Sequence, residues 1–135
     1  MPHRLYAAVA RRARHRCEYC HAPESVFNQE FEVEHVVPRA RGGADVLANL
    51  ALACRSCNLR KGAHERAADP ATGALVPLFD PRRDRWGEHF QLRLDNFRIE
   101  GLTPMGRATV RQLGMNRAPA LRARRLWLAQ LLLGF

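Results

Sequence analysis

Lysine is almost missing from this 135-residue chain: Lys61 is the only one, and arginine supplies nearly all of the positive charge. Also missing is any run approaching the roughly 20 apolar residues that a membrane-crossing helix needs. That absence argues against a helical membrane protein and against a membrane partner. Residues 1–16 carry arginines throughout and lack the apolar centre of a secretory leader, so the cytoplasm is the expected compartment. No internal repeat and no low-complexity tract is present, which sets aside repeat architectures and biased disordered tails. Acidic residues are scarce, 13 against 22 basic ones, for a formal charge of +9 and a pI near 10.9. This balance favours a polyanionic partner, because attraction to phosphates supplies affinity and steering without sequence readout. An arginine- and alanine-rich composition also follows from genomic base bias, so charge by itself leaves both readings open.

What is present is compact and patterned. The length suits one domain with an extension, and 47% apolar residues support a modest core. Four cysteines fall into two Cys-x-x-Cys pairs, Cys17/Cys20 and Cys54/Cys57, with 33 residues between them. Without a leader, such pairs read as metal ligands rather than disulfides. Two knuckles of this kind can offer four sulfurs to one tetrahedral structural Zn²⁺. The alternatives are four buried free thiols or a redox Cys-x-x-Cys, and the redox motif needs a thioredoxin-like βαβ context that is absent.

The local pattern predicts a basic helix over residues 3–16, with Leu5, Ala8 and Val9 on one face, ending on the first knuckle. A polar loop over 21–30 leads to a strand from Phe31 to Val37, stopped by Pro38. Gly42-Gly43 makes a hinge in the following loop. Asn49 to Ala53 is too short to assign, and Ser56 to Ala63 reads as a helix with Gly62 near its end. Beyond about residue 67, Asp69 to Gly73 reads as a turn and 80–86 as an irregular charged stretch. Phe90, Leu92 and Leu94 alternate, as do Phe97 and Ile99, predicting a hairpin turning at Asp95-Asn96. Its register sets Arg93 opposite Arg98, a like-charge cost that a bound phosphate would relieve. Thr103-Pro104 signals the N-cap and first turn of a helix that Gly114 ends. A last helix runs from about Pro119 to Leu133, with Leu121, Leu128 and Leu132 on one face. Trp86 and Trp127 read as core rather than stacking platforms.

Between the knuckles lies Glu34-His35-Val36-Val37-Pro38, and Asn58 directly follows the last cysteine. An imidazole titrates near working pH and suits a general base. Carboxylate and amide oxygens suit a hard divalent ion. Together they point to a metal-dependent phosphodiesterase. With Gly42-Gly43, Asn49-Leu50 and Cys54-x-x-Cys57-Asn58 followed by Lys61, residues 5–64 resemble the HNH endonucleases, the ββα-metal or His-Me finger nucleases. The match is to the four-cysteine, zinc-stapled type, with His35, Asn49 and Asn58 as an H-N-N motif. Residues 65–135 look, more weakly, like the extension of some stand-alone bacterial members.

The resemblance implies an α+β fold: a small zinc-stapled ββα-metal core over residues 1–66, with flanking helices, then a C-terminal hairpin and two helices over 67–135. It implies DNA, most often double-stranded, as substrate, with cleavage leaving 5′-phosphate and 3′-hydroxyl ends. His35 becomes the general base. Glu34 and Asn58 become ligands of a catalytic Mg²⁺ or Mn²⁺, and Asn49 orients the His35 segment. Each has a plainer reading: His35 an ordinary hydrogen-bonded histidine, Glu34 a solvated strand residue like Glu32, Asn58 a helix cap. Arg39, Arg41, Arg60 and Lys61 flank the motif as phosphate-gripping candidates or as plain surface. In a regular strand Glu34 and His35 point to opposite faces, so their convergence needs a twist or bulge. Gly62 stands where some members carry another histidine, which makes His64 a surface residue. The rival readings are a non-catalytic zinc-knuckle module that binds nucleic acid, and a nuclease acting on RNA or branched DNA.

Overall fold

The computed structural model describes residues 2–133; Met1, Gly134 and Phe135, and the side chains of Leu132 and Leu133, lie outside the described residues. The first helix, α1, spans Tyr6–Arg12, shorter than the pattern predicts. Arg14 and His15 adopt positive φ (56° and 58°), and the His15 N–H bonds Ala10 O at 2.8 Å. That 6→1 bond closes the helix with a non-glycine residue in the left-handed position. Val9 and Ala10 form the buried face, while Ala8 is exposed.

The expected strand is β1, Glu32–His35, and the unassigned run is its antiparallel partner β2, Leu50–Ala53. Their register pairs Glu32 with Ala53, Val33 with Leu52, Glu34 with Ala51 and His35 with Leu50. All four β2 residues are buried, which explains its unbroken apolar sequence. Helix α2, Arg55–Lys61, follows directly. The Cys54 sulfur is its N-cap, accepting the Cys57 N–H at 3.4 Å, so the cap is not Asn58.

Gly42 and Gly43 serve separate purposes. Gly42 takes φ +88°, ending a single 3₁₀ turn over Arg39–Arg41. A Cβ on Gly43 would lie 1.7 Å from Val37 O and 2.9 Å from Asn49 Nδ2, so only glycine permits that approach.

The extension contains one hairpin that its sequence does not announce. Strands β3, Arg66–Ala68, and β4, Leu75–Pro77, flank the expected Asp69–Gly73 turn. Asp69 ties that turn down, accepting from Ala71 N at 3.1 Å and Thr72 Oγ1 at 2.9 Å. A short helix α3, Trp86–His89, leads into β5, Phe90–Leu92, which pairs with β6, Ile99–Gly101. The register continues to the expected Arg93–Arg98 pair, with the Arg93 N–H donating to Arg98 O at 2.8 Å. Arg93 turns instead to Glu100 (3.3 Å) and Asp95 (3.5 Å), so acidic neighbours rather than a phosphate relieve the like-charge cost.

Helix α4, Pro104–Gln112, has Thr103 as its cap, accepting the Gly106 N–H at 3.0 Å. Helix α5 spans Ala118–Leu133. Its buried positions are Arg124, Trp127 and Leu128, with Leu121 half-buried; the expected Leu132 lies outside the described side chains. One hydrophobic cluster joins Val9, Tyr19, Leu50 and Leu52 to Phe79, Phe90, Leu113 and Trp127. Glu18 reinforces the junction: it accepts from Leu52 N at 2.8 Å and pairs with Arg82 of the extension.

Candidate functional site

The two knuckles meet. Cys17, Cys20, Cys54 and Cys57 are buried, none is in a disulfide, and their sulfurs lie within 4.8 Å of one another. Cys20 and Cys54 Sγ are 3.8 Å apart, and the Cys20 N–H points at Cys17 Sγ at 3.5 Å. Four thiols this close cannot all ionise without a cation. Cys54 is held below the thiol range by hydrogen bonds from its neighbours, first Cys17, while Cys20 and Cys57 are pushed up. The donor set and its spacing therefore fit a soft tetrahedral ion. Arg124, 2% exposed, faces the same cavity as Cys20, Cys54 and Cys57 and donates to Phe97 O and Met115 O, each at 2.7 Å.

Strand β1 sorts the motif residues onto two faces without a bulge. One face carries Glu32 and Glu34 toward α2. Glu34 is 4% exposed and accepts hydrogen bonds from Tyr19 Oη and, at 2.8 Å, from Lys61 Nζ. Burial pushes its carboxyl above the usual range, against the lowering pull of Lys61. Lys61 also donates to Val36 O at 2.9 Å and is itself buried, so it is not a surface phosphate grip. Asn58 meets Glu32, not Glu34: its Nδ2 lies 3.2 Å from Glu32 Oε2, and Arg55 lies 3.3 Å from the other oxygen. Glu34, expected beside Asn58 and His35, is thus engaged elsewhere, and Glu32, read as a bland strand residue, is the carboxylate at Asn58.

The other face carries His35. Its Nε2 is 2.9 Å from Asp45 Oδ1, and the same oxygen is 2.6 Å from His3 Nε2. Arg4 and Arg39 lie 3.5 and 3.7 Å from Asp45 Oδ2. Hydrogen bonds from His3 and then His35 lower the Asp45 carboxyl to about 2. An imidazole whose Nε2–H is donated to a carboxylate keeps its lone pair on Nδ1. Asn49 clamps the segment after His35: its Oδ1 accepts from Val37 N at 2.9 Å, and its Nδ2 donates to Val37 O at 3.0 Å and Ala44 O at 2.9 Å.

His3, Glu32, Val33 and Asn58 line a common depression, and the rings of His3 and His35 are 6.1 Å apart. Among the described residues β1 pairs only with β2, so no strand covers its other edge. Of the flanking cations, Arg39 and Arg60 are exposed, while Arg41 lies 3.6 Å from Glu65. His64 is exposed, as expected.

This stretch, from the first knuckle through α2, matches the HNH endonuclease family model over residues 17–64. Residues 17–64 form an HNH endonuclease domain. The chain is also similar to the Septu protein PtuB of Bacillus thuringiensis, with 26% identity over 116 residues. That alignment covers 84% of this chain and 42% of the relative, so the chain spans well under half of the protein it matches. No solved structure matches the chain. The HNH match supports a nuclease-type function. Among the described residues, no helix is long and apolar enough to cross a membrane.

Proposed function

We propose that the chain is a zinc-stapled endonuclease that hydrolyses DNA phosphodiester bonds, with residues 1–66 as the catalytic unit and 67–135 as its extension. The observation that carries this reading is the His35–Asp45 contact within the HNH domain. It directs Nε2–H toward a carboxylate and leaves Nδ1 free to accept a proton from water. Asp45 then stabilises the imidazolium as it forms, and Asn49 holds the Val37 backbone so that the ring keeps its aim.

Asn58 and Glu32 would suit a hard divalent ion once the Asn58 amide turns from its Nδ2–Glu32 contact, so that an amide and a carboxylate oxygen face the same point. Bound there, Mg²⁺ or Mn²⁺ would supply charge stabilisation for the phosphate and for the departing 3′ oxygen. Glu34 joins such a site only if the ion displaces Lys61 from Oε2. Cleavage through the 3′ oxygen leaves 5′-phosphate and 3′-hydroxyl ends. The four cysteines would hold a structural zinc and tie the first knuckle to the junction of β2 and α2.

A supercoiled-plasmid assay with Mg²⁺, Mn²⁺ or a chelator tests the reading. Nicked or linear product with either ion, and none with chelator, is expected. DNA binding without cleavage under any ion would favour a non-catalytic zinc module, and cleavage confined to RNA or branched DNA would redirect the substrate.

A further inference from the structure

Outside the HNH domain, the β5–β6 hairpin and α4 border an open depression of about 760 Å³. Its charged lining is Arg93, Arg98, Arg107, Arg111 and Arg117, against the single carboxylate of Glu100. Two of these arginines are already partnered. Arg93 pairs with Glu100 and Asp95, and Arg107 grips buried Asp69 through two bonds of 2.9 and 2.8 Å. Arg98, Arg111 and Arg117 are exposed and, among the described residues, have no ion-pair partner.

Gly114 brings in a cation from the HNH domain. It follows α4 with φ +61°, and a Cβ there would lie 2.6 Å from Arg117 Cδ and 3.0 Å from Arg60 Cδ. The missing side chain lets the two arginine stems lie side by side over the same spot. Gln112 fixes the approach of α2 to α4, donating to Arg60 O at 3.0 Å. Like charges gathered without a carboxylate between them repel, and a shared anion reverses that term. A nucleic-acid backbone carries a charge about every 3.4 Å along each strand, and so suits cations spread along a surface better than a small ion does.

We propose that Arg60, Arg98, Arg111 and Arg117 form a track for a nucleic-acid backbone, leading from α2 of the HNH domain onto the extension. The choice of nucleic acid over an acidic protein rests on the nuclease reading, because Arg60 joins the track to the domain that reading assigns.

The test uses the full zinc-loaded chain carrying His35→Ala. Anisotropy of labelled duplex DNA, duplex RNA and polyglutamate is followed at several salt concentrations. The R98E/R111E/R117E variant is expected to weaken DNA or RNA binding about tenfold or more. Its salt slope should fall by about 2–3, since each phosphate contact contributes about 0.9. The polymer that binds tighter identifies the source of the phosphates. R83E/R85E/R122E changes exposed arginines outside the depression by the same net charge and should have a clearly smaller effect. Equal losses in the two triple variants would overturn the track, as would polyglutamate competing as well as nucleic acid. Circular dichroism and zinc content check folding, and R98Q/R111Q/R117Q repeats the measurement if the acidic variant unfolds. Unchanged binding in the track variants, with wild-type cleavage intact, sinks the track alone. Track-dependent binding with no cleavage by the wild type sinks the nuclease reading alone.

Discussion

Lys61 Nζ lies 2.8 Å from Glu34 Oε2, with both side chains almost wholly out of water. The Glu34 carboxyl is pushed up despite this partner, so the pair only partly offsets the cost of burying two charges. Removing one partner should therefore be worse than removing both. Lys61→Ala is expected to cost about 3–5 kcal/mol in denaturant unfolding. The double variant E34L/K61M should cost much less than the two single changes combined. A Lys61→Ala protein as stable as wild type would contradict the buried pair.

Glu32 and Glu34 separate in a metal titration. Glu32→Gln removes the carboxylate at Asn58 and should raise the Mg²⁺ or Mn²⁺ needed for half-maximal cleavage about tenfold or more. Stability should hardly change, because Glu32 is only partly buried. Glu34→Gln should lower stability first. The opposite pattern, a metal defect from Glu34→Gln and none from Glu32→Gln, would place the ion on Glu34.

Asp45 should behave as a positioning residue. Asp45→Asn is expected to lower kcat roughly tenfold to a hundredfold, within the range for acid–base support, and to leave KM for DNA nearly unchanged. A loss confined to KM would contradict the role. The Asp45 carboxyl, at about 2, lies below its unfolded value, so its stabilising contribution is complete above about pH 4. That contribution is lost as pH falls from there through about 2. Acid unfolding of wild type and Asp45→Asn should converge at the low end, and carbon NMR of the Asp45 carboxyl should titrate in the same window.

Zinc should be stoichiometric with the chain by native mass spectrometry. Its removal should loosen the fold, because the unfolded chain has no preformed site. Cys54→Ala should be the most damaging single alanine change among the four, since it removes a sulfur ligand and the α2 cap together. Folding unchanged after complete removal of metal would contradict the staple.

The cysteine knuckles are legible in sequence because ligand chemistry fixes type and spacing over a few residues. The Thr103 cap and the Arg93–Arg98 register are legible for the same local reason. Asp45 is not: its partners His3 and His35 are 42 and 10 positions away, and no periodicity links them. Glu32 and Glu34 share one face of β1, so only the packing of α2 decides which stays open and which is buried. Lys61 reads as solvent-exposed charge until Glu34 and Val36 are seen around it. The β3–β4 hairpin escapes because each strand has three residues and no buried alternation.

His35 carries the central claim, and the most direct measurement compares plasmid cleavage by wild type and His35→Ala at matched zinc content. Expected is a loss of about 10²–10⁴-fold or more in rate, with DNA affinity and folding unchanged. Cleavage by His35→Ala at the wild-type rate would contradict the assignment of the base.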